Sequence, residues 1–430
     1  MNLPTIAEIH TLFLKTSSIS IDTRKIEKDC LFVALKGENF DANTFTKEAL
    51  EKGAKYVIID NKDYYINDKT ILVKNSLVTL QELAKFHRNY LGLPIIALTG
   101  SNGKTTTKEL IHTVLSKKYN TLATIGNLNN HIGVPLTLLR FTKETEIGIV
   151  EMGANHQKEI EFLCEIAQPD YGYITNFGKA HLEGFGGVEG VIKGKSEMYT
   201  YLKLHNKTVF INSDDIIQQE KTSDMNKFTF GFYNKNCDVQ ISKVTANPMV
   251  NIIYNNTEIK SHLIGIYNSN NINAAITIGN YFNVPDNLIK EAIENYIPEN
   301  NRSQLIIKKN NEIILDAYNA NPSSMVAALT NFIQLEKANK IAVLGDMFEL
   351  GTESKSEHKK IVEILEPHKD ITTYFIGKDF YANKIESNHM NFYENFDTFS
   401  KVILLNKPIN SIVLIKGSRG MALEKTLDIL

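Results

Sequence analysis

The chain of 430 residues is too long for one ordinary hydrophobic core, and its length predicts roughly two to four domains. Hydrophobic residues at 43% and charged residues at 22% are ordinary for a globular protein and exclude a disordered or fibrous one. The formal net charge is −2 and the lysines are scattered along the chain, so we expect small partners and no nucleic acid.

The cysteines and the first residues bear on the cellular compartment. Cys30, Cys164 and Cys237 form no CxxC pair and are odd in number, which fits a reducing compartment and weakens a zinc or disulfide interpretation. The N-terminal residues contain no basic segment followed by an apolar core, and no apolar run approaches membrane-spanning length. We therefore expect a cytoplasmic protein with no membrane partner.

The first part of the chain, residues 1–85, has the pattern of a small α/β domain. Short β-type runs at residues 30–35 and 56–59 surround a helical stretch at residues 46–53. A further helical segment at residues 77–91 leads through glycine and proline into a new apolar run. We place the first domain limit inside that segment.

Residues 86–299 alternate between short apolar runs and helical patterns, which predicts a largely parallel sheet covered on both faces. The predicted strands and helices of this central domain are strands at 95–99, 147–150 and 171–175, and helices at 105–118, 131–140, 157–167, 269–281 and 286–295. Residues 226–264 instead show β-rich alternation and predict an antiparallel appendage to the central domain.

A polar run at residues 299–301, preceded by Pro298, predicts a linker to a third domain, residues 300–430. Four apolar runs separated by helical patterns follow this linker, and they predict a Rossmann-like α/β domain. These predicted strands lie at residues 313–315, 341–344, 373–376 and 412–415.

A glycine-containing loop lies where the apolar run 95–99 ends and a helix begins, which is the context that a phosphate-binding loop requires. The loop reads Gly100-Ser101-Asn102-Gly103-Lys104-Thr105-Thr106. Glycines let successive backbone N–H groups face one anion, and Lys104 adds a mobile positive charge while Thr105 offers a hydroxyl to Mg²⁺. Only two residues separate Gly100 from Gly103, so the GxxxxGK[ST] rule is met imperfectly and an ordinary turn is the alternative; we favour phosphate binding.

Three further residues indicate a function only when they are considered together. Glu151 ends the run 147–150, so a magnesium ligand and a solvated acid are about equally plausible. His181 follows the run 171–175 inside a glycine-containing loop, where packing is the ordinary role of a histidine. Lys195, taken alone, is expected to be an exposed lysine.

The combination of these features resembles the Mur ligase family, which includes folylpolyglutamate synthases. The resemblance rests on the loop at 100–106, Glu151, residues 176–183, Lys195 and residues 265–271. Other segments resemble those family members that join D-alanyl-D-alanine to a UDP-N-acetylmuramoyl-tripeptide, namely residues 126–137, 151–155, 316–322, 344–351 and 416–421. Residues 22–24, 31–37 and 41–45 are similar to the family's UDP-sugar-binding domain.

The resemblance implies an ATP-dependent ligase that forms an amide bond through an acyl phosphate. It implies UDP-N-acetylmuramoyl-tripeptide and D-alanyl-D-alanine as substrates and ATP with two Mg²⁺ ions as cofactors, and we expect a monomer. Lys104 would bind the β- and γ-phosphates, and the metal ligands would be Thr105, Glu151, His181 and Lys195, the last as a carbamate. The remaining nucleotide ligands would be Asn268, Asn271, Arg302 and Asp316.

The substrate-binding residues implied by the resemblance are Asp22, Thr23, Arg24, Asp41, Asn129 and Asn130. In the third domain, Ser418 and Arg419 follow a predicted strand and could hold the carboxylate of the dipeptide, a task that suits the planar guanidinium. A surface loop beside the cleft is the alternative. Asn319 and Asn321 could bind substrate or simply form the turn before Pro322.

Two other functions stay open. A sister ligase that adds a single amino acid would share the loop and the metal ligands, although residues 316–322 and 344–351 argue against it. A nucleotide-binding switch or assembly ATPase would use the loop without ligation, and it would leave Lys195 and His181 without a role.

Overall fold

The computed structural model describes residues 3–299 and 301–430, and its strands form three separate sheets of four, nine and six strands. Each sheet lies within one of the predicted domains, whose limits stay predictions. The limit between residues 85 and 86 falls inside a helix, Ser76–Leu91. The second predicted limit lies at Asn300, which is also part of the predicted linker at 299–301. Asn300 lies outside the described residues.

The first sheet consists of four parallel strands in chain order. Its strands and the helices around it are α1 (Ile6–Phe13), β1 (Ile19–Ser20), β2 (Leu31–Val33), β3 (Tyr56–Ile59), β4 (Thr70–Leu72), α2 (Thr46–Glu51) and α3 (Ser76–Leu91). The predicted helix at 46–53 ends two residues early, because Gly53 has a φ of +106° that a helix cannot accommodate.

The second sheet has the order β13-β12-β11-β10-β9-β8-β5-β7-β6. Its strands are β5 (Ile95–Thr99), β6 (Thr121–Ala123), β7 (Ile147–Glu151), β8 (Tyr171–Ile174), β9 (Thr208–Asn212), β10 (Lys227–Gly231), β11 (Val239–Ala246), β12 (Met249–Tyr254) and β13 (Thr257–Ile264). Its helices are α4 (Lys104–Leu115), α5 (Gly133–Leu138), α6 (Glu159–Ala167), α7 (Leu182–Phe185), α8 (Val188–Leu204), α9 (Ile216–Lys221), α10 (Ser269–Tyr281) and α11 (Asp286–Asn295).

The antiparallel part of the second sheet is smaller than the predicted segment 226–264. Strand β10 pairs in parallel with both β9 and β11, and only β11, β12 and β13 pair antiparallel. Alternation of apolar residues indicates a strand and its buried face, but it does not indicate the direction of the neighbouring strand. The segment is also continuous with the parallel strands and forms one sheet with them.

The third sheet has the order β14-β15-β19-β16-β17-β18, and all its neighbouring strands are parallel except β14 and β15. Its elements are β14 (Gln304–Lys308), β15 (Asn311–Asp316), α12 (Pro322–Ile333), β16 (Lys340–Gly345), α13 (Ser354–Leu365), β17 (Ile371–Ile376), α14 (Lys378–Ala382), β18 (Met390–Tyr393), α15 (Phe396–Leu405), β19 (Ile412–Lys416) and α16 (Thr426–Ile429). The sequence predicted the four inner strands and missed β14 and β18, which are the two edge strands and are only partly buried.

The central strands of the second sheet explain where its loops converge. Every residue of β5 and β7 is buried, since α4 and α10 cover one face of the sheet while α3, α6 and α8 cover the other. Strand β5 lies between β7 and β8, with Leu98 opposite Glu151 and Thr99 opposite Ile174. The carboxyl ends of these three parallel strands therefore meet at one edge. No helix among the described residues is both long and apolar enough to cross a membrane.

Candidate active site

The glycine loop occupies the carboxyl end of β5, and α4 begins directly after it. Gly100 and Gly103 have φ values of +140° and +79°, and a Cβ on Gly103 would lie 2.5 Å from the side-chain oxygen of Asn271. Both positions therefore exclude larger residues. The α4 N-terminus has no side-chain cap, so its first backbone N–H groups are free to bind an anion.

Lys104 lies over this loop rather than away from it. Its Nζ donates to the carbonyl of Gly100 at 2.8 Å and to that of Ser101 at 3.4 Å. Burial lowers the pKa of Lys104, while the nearby carboxylate of Glu151 acts in the opposite direction. The loop thus holds the amino group of Lys104 against its own backbone, at the wall of the cleft.

Glu151 offers an unused carboxylate oxygen inside the protein. Its side chain is 1% exposed, and Oε1 accepts a hydrogen bond of 2.8 Å from the Asn129 amide. Oε2 is buried and has no hydrogen-bond partner among the described residues. A buried carboxylate oxygen without a donor is costly unless a cation binds it, so Glu151 and the nearby hydroxyl residue Thr105 fit a hard divalent cation such as Mg²⁺.

His181 begins the short helix α7 at the edge of the same cleft. Its Nδ1 bonds to the carboxylate of Glu349, which belongs to the third sheet's loops. Burial lowers the pKa of His181, and Glu349 opposes that shift. Because Nδ1 is engaged with Glu349, Nε2 is the ring nitrogen that is left to bind a metal ion.

Lys195 is buried rather than exposed, which corrects the expectation drawn from that residue alone. It lies on α8 with 1% of its surface exposed, and its Nζ donates to the Ala154 carbonyl at 3.1 Å above the ring of Phe185. Burial lowers the pKa of Lys195 well below that of an ordinary lysine, and Lys104 adds to the effect. A neutral amine is the form that reacts with carbon dioxide, so the environment fits a carbamate. Lys195 does not line the cleft itself, but Ala154 does.

Residues from distant parts of the chain complete one cleft of about 1160 Å³ between the second and third sheets. The predicted site residues that line this cleft are Ser101, Asn102, Gly103, Lys104, Thr105, Thr106, Asn129, Asn130, Glu151, His181, Asn268, Asn271, Arg302 and Asp316. Asn271 links two of these elements, because Thr107 donates to its Oδ1 at 3.0 Å and its amide donates to Asn268 at 2.8 Å.

Tyr318 and Lys416 also line the cleft, and no function was predicted for either. The guanidinium of Arg302 stacks on Tyr318 with 3.6 Å to the ring centre. Lys416 Nζ lies 2.5 Å from Asp316 Oδ2, and each residue ends a buried strand. A charged residue that closes an apolar run is the signal that could have identified Lys416, as it did Glu151.

Four predicted substrate-binding residues lie in the first sheet's loops and do not line the cleft. Asp22 caps a turn of 3₁₀ helix and forms an ion pair with Arg24, with Thr23 between them. Asp41 caps a similar turn and accepts from the amide of Asn43 at 2.6 Å. Their local contacts account for turn formation, and a role in substrate binding stays a prediction.

Ser418 and Arg419 do not line the cleft either. The Ser418 hydroxyl accepts from the backbone of Phe348 at 2.9 Å and donates to Ala320 at 3.3 Å, so it joins two loops of the third sheet. Arg419 forms an ion pair of 2.8 Å with Glu424 and lies 5.9 Å from the Tyr318 ring. Of the two, only Arg419 is exposed and adjacent to the cleft, and its carboxylate-binding role stays a prediction.

Comparison with known proteins shows the same three-part organisation. Residues 15–88 match the Mur ligase family, catalytic domain, residues 98–279 the Mur ligase middle domain, and residues 301–419 the Mur ligase, glutamate ligase domain. The UDP-N-acetylmuramoyl-tripeptide–D-alanyl-D-alanine ligase of Bacillus subtilis (strain 168) is 35% identical over 419 residues, which cover 95% of this chain and 91% of that relative.

Two crystal structures share the fold over almost the whole chain. MurF from Acinetobacter baumannii has a TM-score of 0.86 at 29% identity and covers 100% of this chain and 99% of its own. MurF ligase from Thermotoga maritima in complex with ADP has a TM-score of 0.84 at 27% identity, with 97% of each chain covered. Because all three domain families match in order and a relative is 35% identical over nearly the full length, the chain belongs to the Mur ligase family.

Proposed function

We propose that the protein is the ATP-dependent ligase that joins D-alanyl-D-alanine to UDP-N-acetylmuramoyl-tripeptide and so completes the UDP-linked pentapeptide precursor of peptidoglycan. One observation carries the proposal most: the glycine loop and the unpartnered carboxylate oxygen of Glu151 face one cleft that two domains enclose. The named activity of the relative from B. subtilis, which matches 95% of the chain, supports the choice of substrates over the addition of a single amino acid.

In the first chemical step the triphosphate of ATP must be bound and its negative charge offset. The free N–H groups at the start of α4 and the ammonium of Lys104 bind the β- and γ-phosphates, and a carboxylate oxygen of the tripeptide attacks the γ-phosphorus. The new O–P bond forms as the bond from phosphorus to the ADP oxygen breaks. The products of this step are an acyl phosphate and ADP.

Thr105, Glu151, His181 and carbamylated Lys195 would hold two Mg²⁺ ions, which when bound offset the negative charge that develops on the phosphates. Carbamylation replaces one N–H of the neutral amine with a carboxylate carbon from CO₂ and releases a proton. Burial of Lys195 supports this chemistry, because it favours the neutral amine. The product is an anion, as a cation ligand should be.

In the second step the amine of D-alanyl-D-alanine attacks the acyl carbonyl, gives a tetrahedral intermediate, loses a proton and expels phosphate. The proposed role of Arg419, with Ser418 beside it, is to hold the dipeptide carboxylate at the third-domain side of the cleft. Docking of the third domain would exclude water, which otherwise hydrolyses the acyl phosphate.

The remaining proposed binding residues divide into those for ATP and those for the UDP-linked substrate. Asn268, Asn271, Arg302 and Asp316 would bind the nucleoside and phosphates, and the ADP complex of the T. maritima relative supports nucleotide binding by this chain. Asn129 and Asn130 would bind the tripeptide-bearing substrate inside the cleft. Asp22, Thr23, Arg24 and Asp41 would bind its UDP group from the first domain. A monomeric, cytoplasmic enzyme remains our prediction.

A substrate panel tests the proposal directly. ADP release at the full rate should require both UDP-N-acetylmuramoyl-tripeptide and D-alanyl-D-alanine, and mass spectrometry should detect the pentapeptide product. The panel should include tripeptides ending in diaminopimelate and in lysine, together with single amino acids as acceptors. Equal ADP release without either substrate would instead favour the nucleotide-dependent switch.

A further inference from the structure

We propose that Asn102, Asn321 and Ser323 form a docking joint that couples the phosphate loop to the third domain, so that these residues position the dipeptide-bearing domain for the second step. The inference rests on the proposed ligase activity and adds positioning residues to it. Asn321 and Ser323 belong to the third domain, and Asn102 belongs to the loop itself.

The side chain of Asn102 faces the third domain with both of its polar atoms. Its Oδ1 accepts from the Asn321 amide at 2.7 Å, and its Nδ2 donates to the hydroxyl of Ser323 at 3.2 Å. Ser323 in turn donates to Asn321 Oδ1 at 3.1 Å. The three polar side chains therefore form a closed ring of hydrogen bonds, in which Asn102 is 219 positions from Asn321 and 221 positions from Ser323 in the chain.

The Asn102 backbone is fixed by a different set of bonds, all within the second domain. Its N–H donates to Asn176 Oδ1 at 3.1 Å, and its carbonyl accepts from Thr175 at 2.6 Å and from the Asn176 amide at 3.0 Å. The Asn102 side chain therefore starts from a backbone position that the loop itself fixes, and its two hydrogen bonds to the third domain hold that side chain in place. The position of the loop is consequently transmitted to the start of α12.

The joint also includes the loop that carries His181. The backbone N–H of Lys179 donates to the Ser323 hydroxyl at 2.9 Å. A Cβ on Gly178 would lie 2.6 Å from that hydroxyl and 2.9 Å from Asn102 Nδ2, so the three segments are in close contact. The docking joint thus brings together the phosphate loop, the proposed metal-ligand loop and the N-terminus of α12.

The coupling has a chemical consequence. The acyl phosphate forms on the second domain, whereas the proposed dipeptide clamp lies on the third, so an undocked third domain leaves the acyl phosphate open to water. Each neutral hydrogen bond lost from the joint should weaken docking by about fivefold. Docking contacts elsewhere, such as the ion pair of 2.7 Å between Lys179 Nζ and Glu357, do not involve the phosphate loop.

The test measures how much ATP is consumed for each pentapeptide formed. Asn321→Ser keeps a side-chain oxygen for the N-cap of α12 but is too short to reach Asn102, and Ser323→Ala removes the shared hydroxyl. Glu312→Gln is the control, because it breaks an ion pair of 2.6 Å with Lys337 that lies wholly within the third domain. Hydroxylamine traps the acyl phosphate as a hydroxamate and reports the first step separately.

Asn321→Ser loses one hydrogen bond between the domains and should raise the ratio of ADP to pentapeptide by about fivefold, whereas Ser323→Ala loses two and should raise it by about 25-fold. Both variants should raise the KM for D-alanyl-D-alanine while hydroxamate formation continues. Glu312→Gln should keep the wild-type ratio. An unchanged ratio in both joint variants would overturn the inference, and so would a loss of hydroxamate equal to the loss of pentapeptide. Wild-type dependence on both substrates tests the proposed function independently.

Discussion

The ion pair between Lys416 and Asp316 joins the carboxyl ends of two neighbouring strands of the third domain at the edge of the cleft. The residues are register partners on β19 and β15, and the Lys416 side chain is 2% exposed. Lys416→Met keeps a long apolar stem and removes the charge. Asp316 would then retain, among the described residues, a hydrogen bond from the backbone of Ser303 at 3.3 Å.

The expected loss follows from the burial of the two partners. Removing one member of a fully buried ion pair costs about 3–5 kcal/mol, because the remaining charge has neither partner nor water. The Asp316 side chain is 17% exposed, so water compensates in part and we expect about 2–3 kcal/mol. Lys340→Met is the matched control: Lys340 is also buried in this sheet, but its partner Asp370 is 60% exposed, which predicts a loss of about 1 kcal/mol or less.

Urea denaturation followed by circular dichroism measures these losses, since the chain contains no tryptophan. Asp316→Asn combined with Lys416→Met removes both charges and should recover most of the stability lost in the single variant. The reasoning fails if Lys416→Met is no less stable than Lys340→Met, or if the double variant is as unstable as the single one.

Three further predictions concern the active site and the first domain. Lys195→Ala should abolish ligation and recover partly when formate is added, with exposed Lys193→Ala as the control; full activity of Lys195→Ala would rule out the carbamate. The side chain of Glu151→Gln can still accept the hydrogen bond from the Asn129 amide but carries no negative charge to bind Mg²⁺. Turnover should therefore fall about a hundredfold or more, while the melting temperature stays unchanged. Burial, with a smaller contribution from His87, lowers the pKa of His10 to about 4, so the folded state resists protonation. The contribution of neutral His10 to the free energy of unfolding is therefore fully present above pH 6.5 and should fall by about 2 kcal/mol as the pH drops towards 4. An equal fall in the free energy of unfolding of His10→Phe would contradict this.

The residues at strand ends were the most predictable part of the site. Apolar runs of four or five residues predicted β5 and β7 within one residue, because a strand buried on both faces has no polar alternation to confuse with a helix. The position of Glu151 and of the glycine loop followed from those strands. Parallel strands all present their carboxyl ends on one edge, so the clustering of these groups was predictable from the topology.

Contacts between domains were not predictable in the same way. The sequence indicated Asn321 as a substrate ligand or a turn former before Pro322, and the structure shows that it caps α12 and also bonds to Asn102. Burial of Lys195 depends on how α8 packs against the loop containing Ala154, and no local pattern encodes it. Local sequence therefore determined which loop a residue occupies, whereas packing determined which partner it meets.

The acidic segment at residues 344–351 shows how a sequence motif can combine anchoring with a contact across domains. Asp346 accepts from the backbone of Asp379 at 3.0 Å and of Phe380 at 2.9 Å, so it caps the start of α14. His358 lies beside it, but its Nε2 accepts from Met347 N–H at 3.0 Å, which leaves this nitrogen no lone pair for a metal. Asp346, His358 and Asp379 are close enough to suggest a cation site, yet the ligand atoms of Asp346 and His358 already accept hydrogen bonds from backbone N–H groups. This anchoring fixes the start of the segment, from which Glu349 reaches His181 in the second domain.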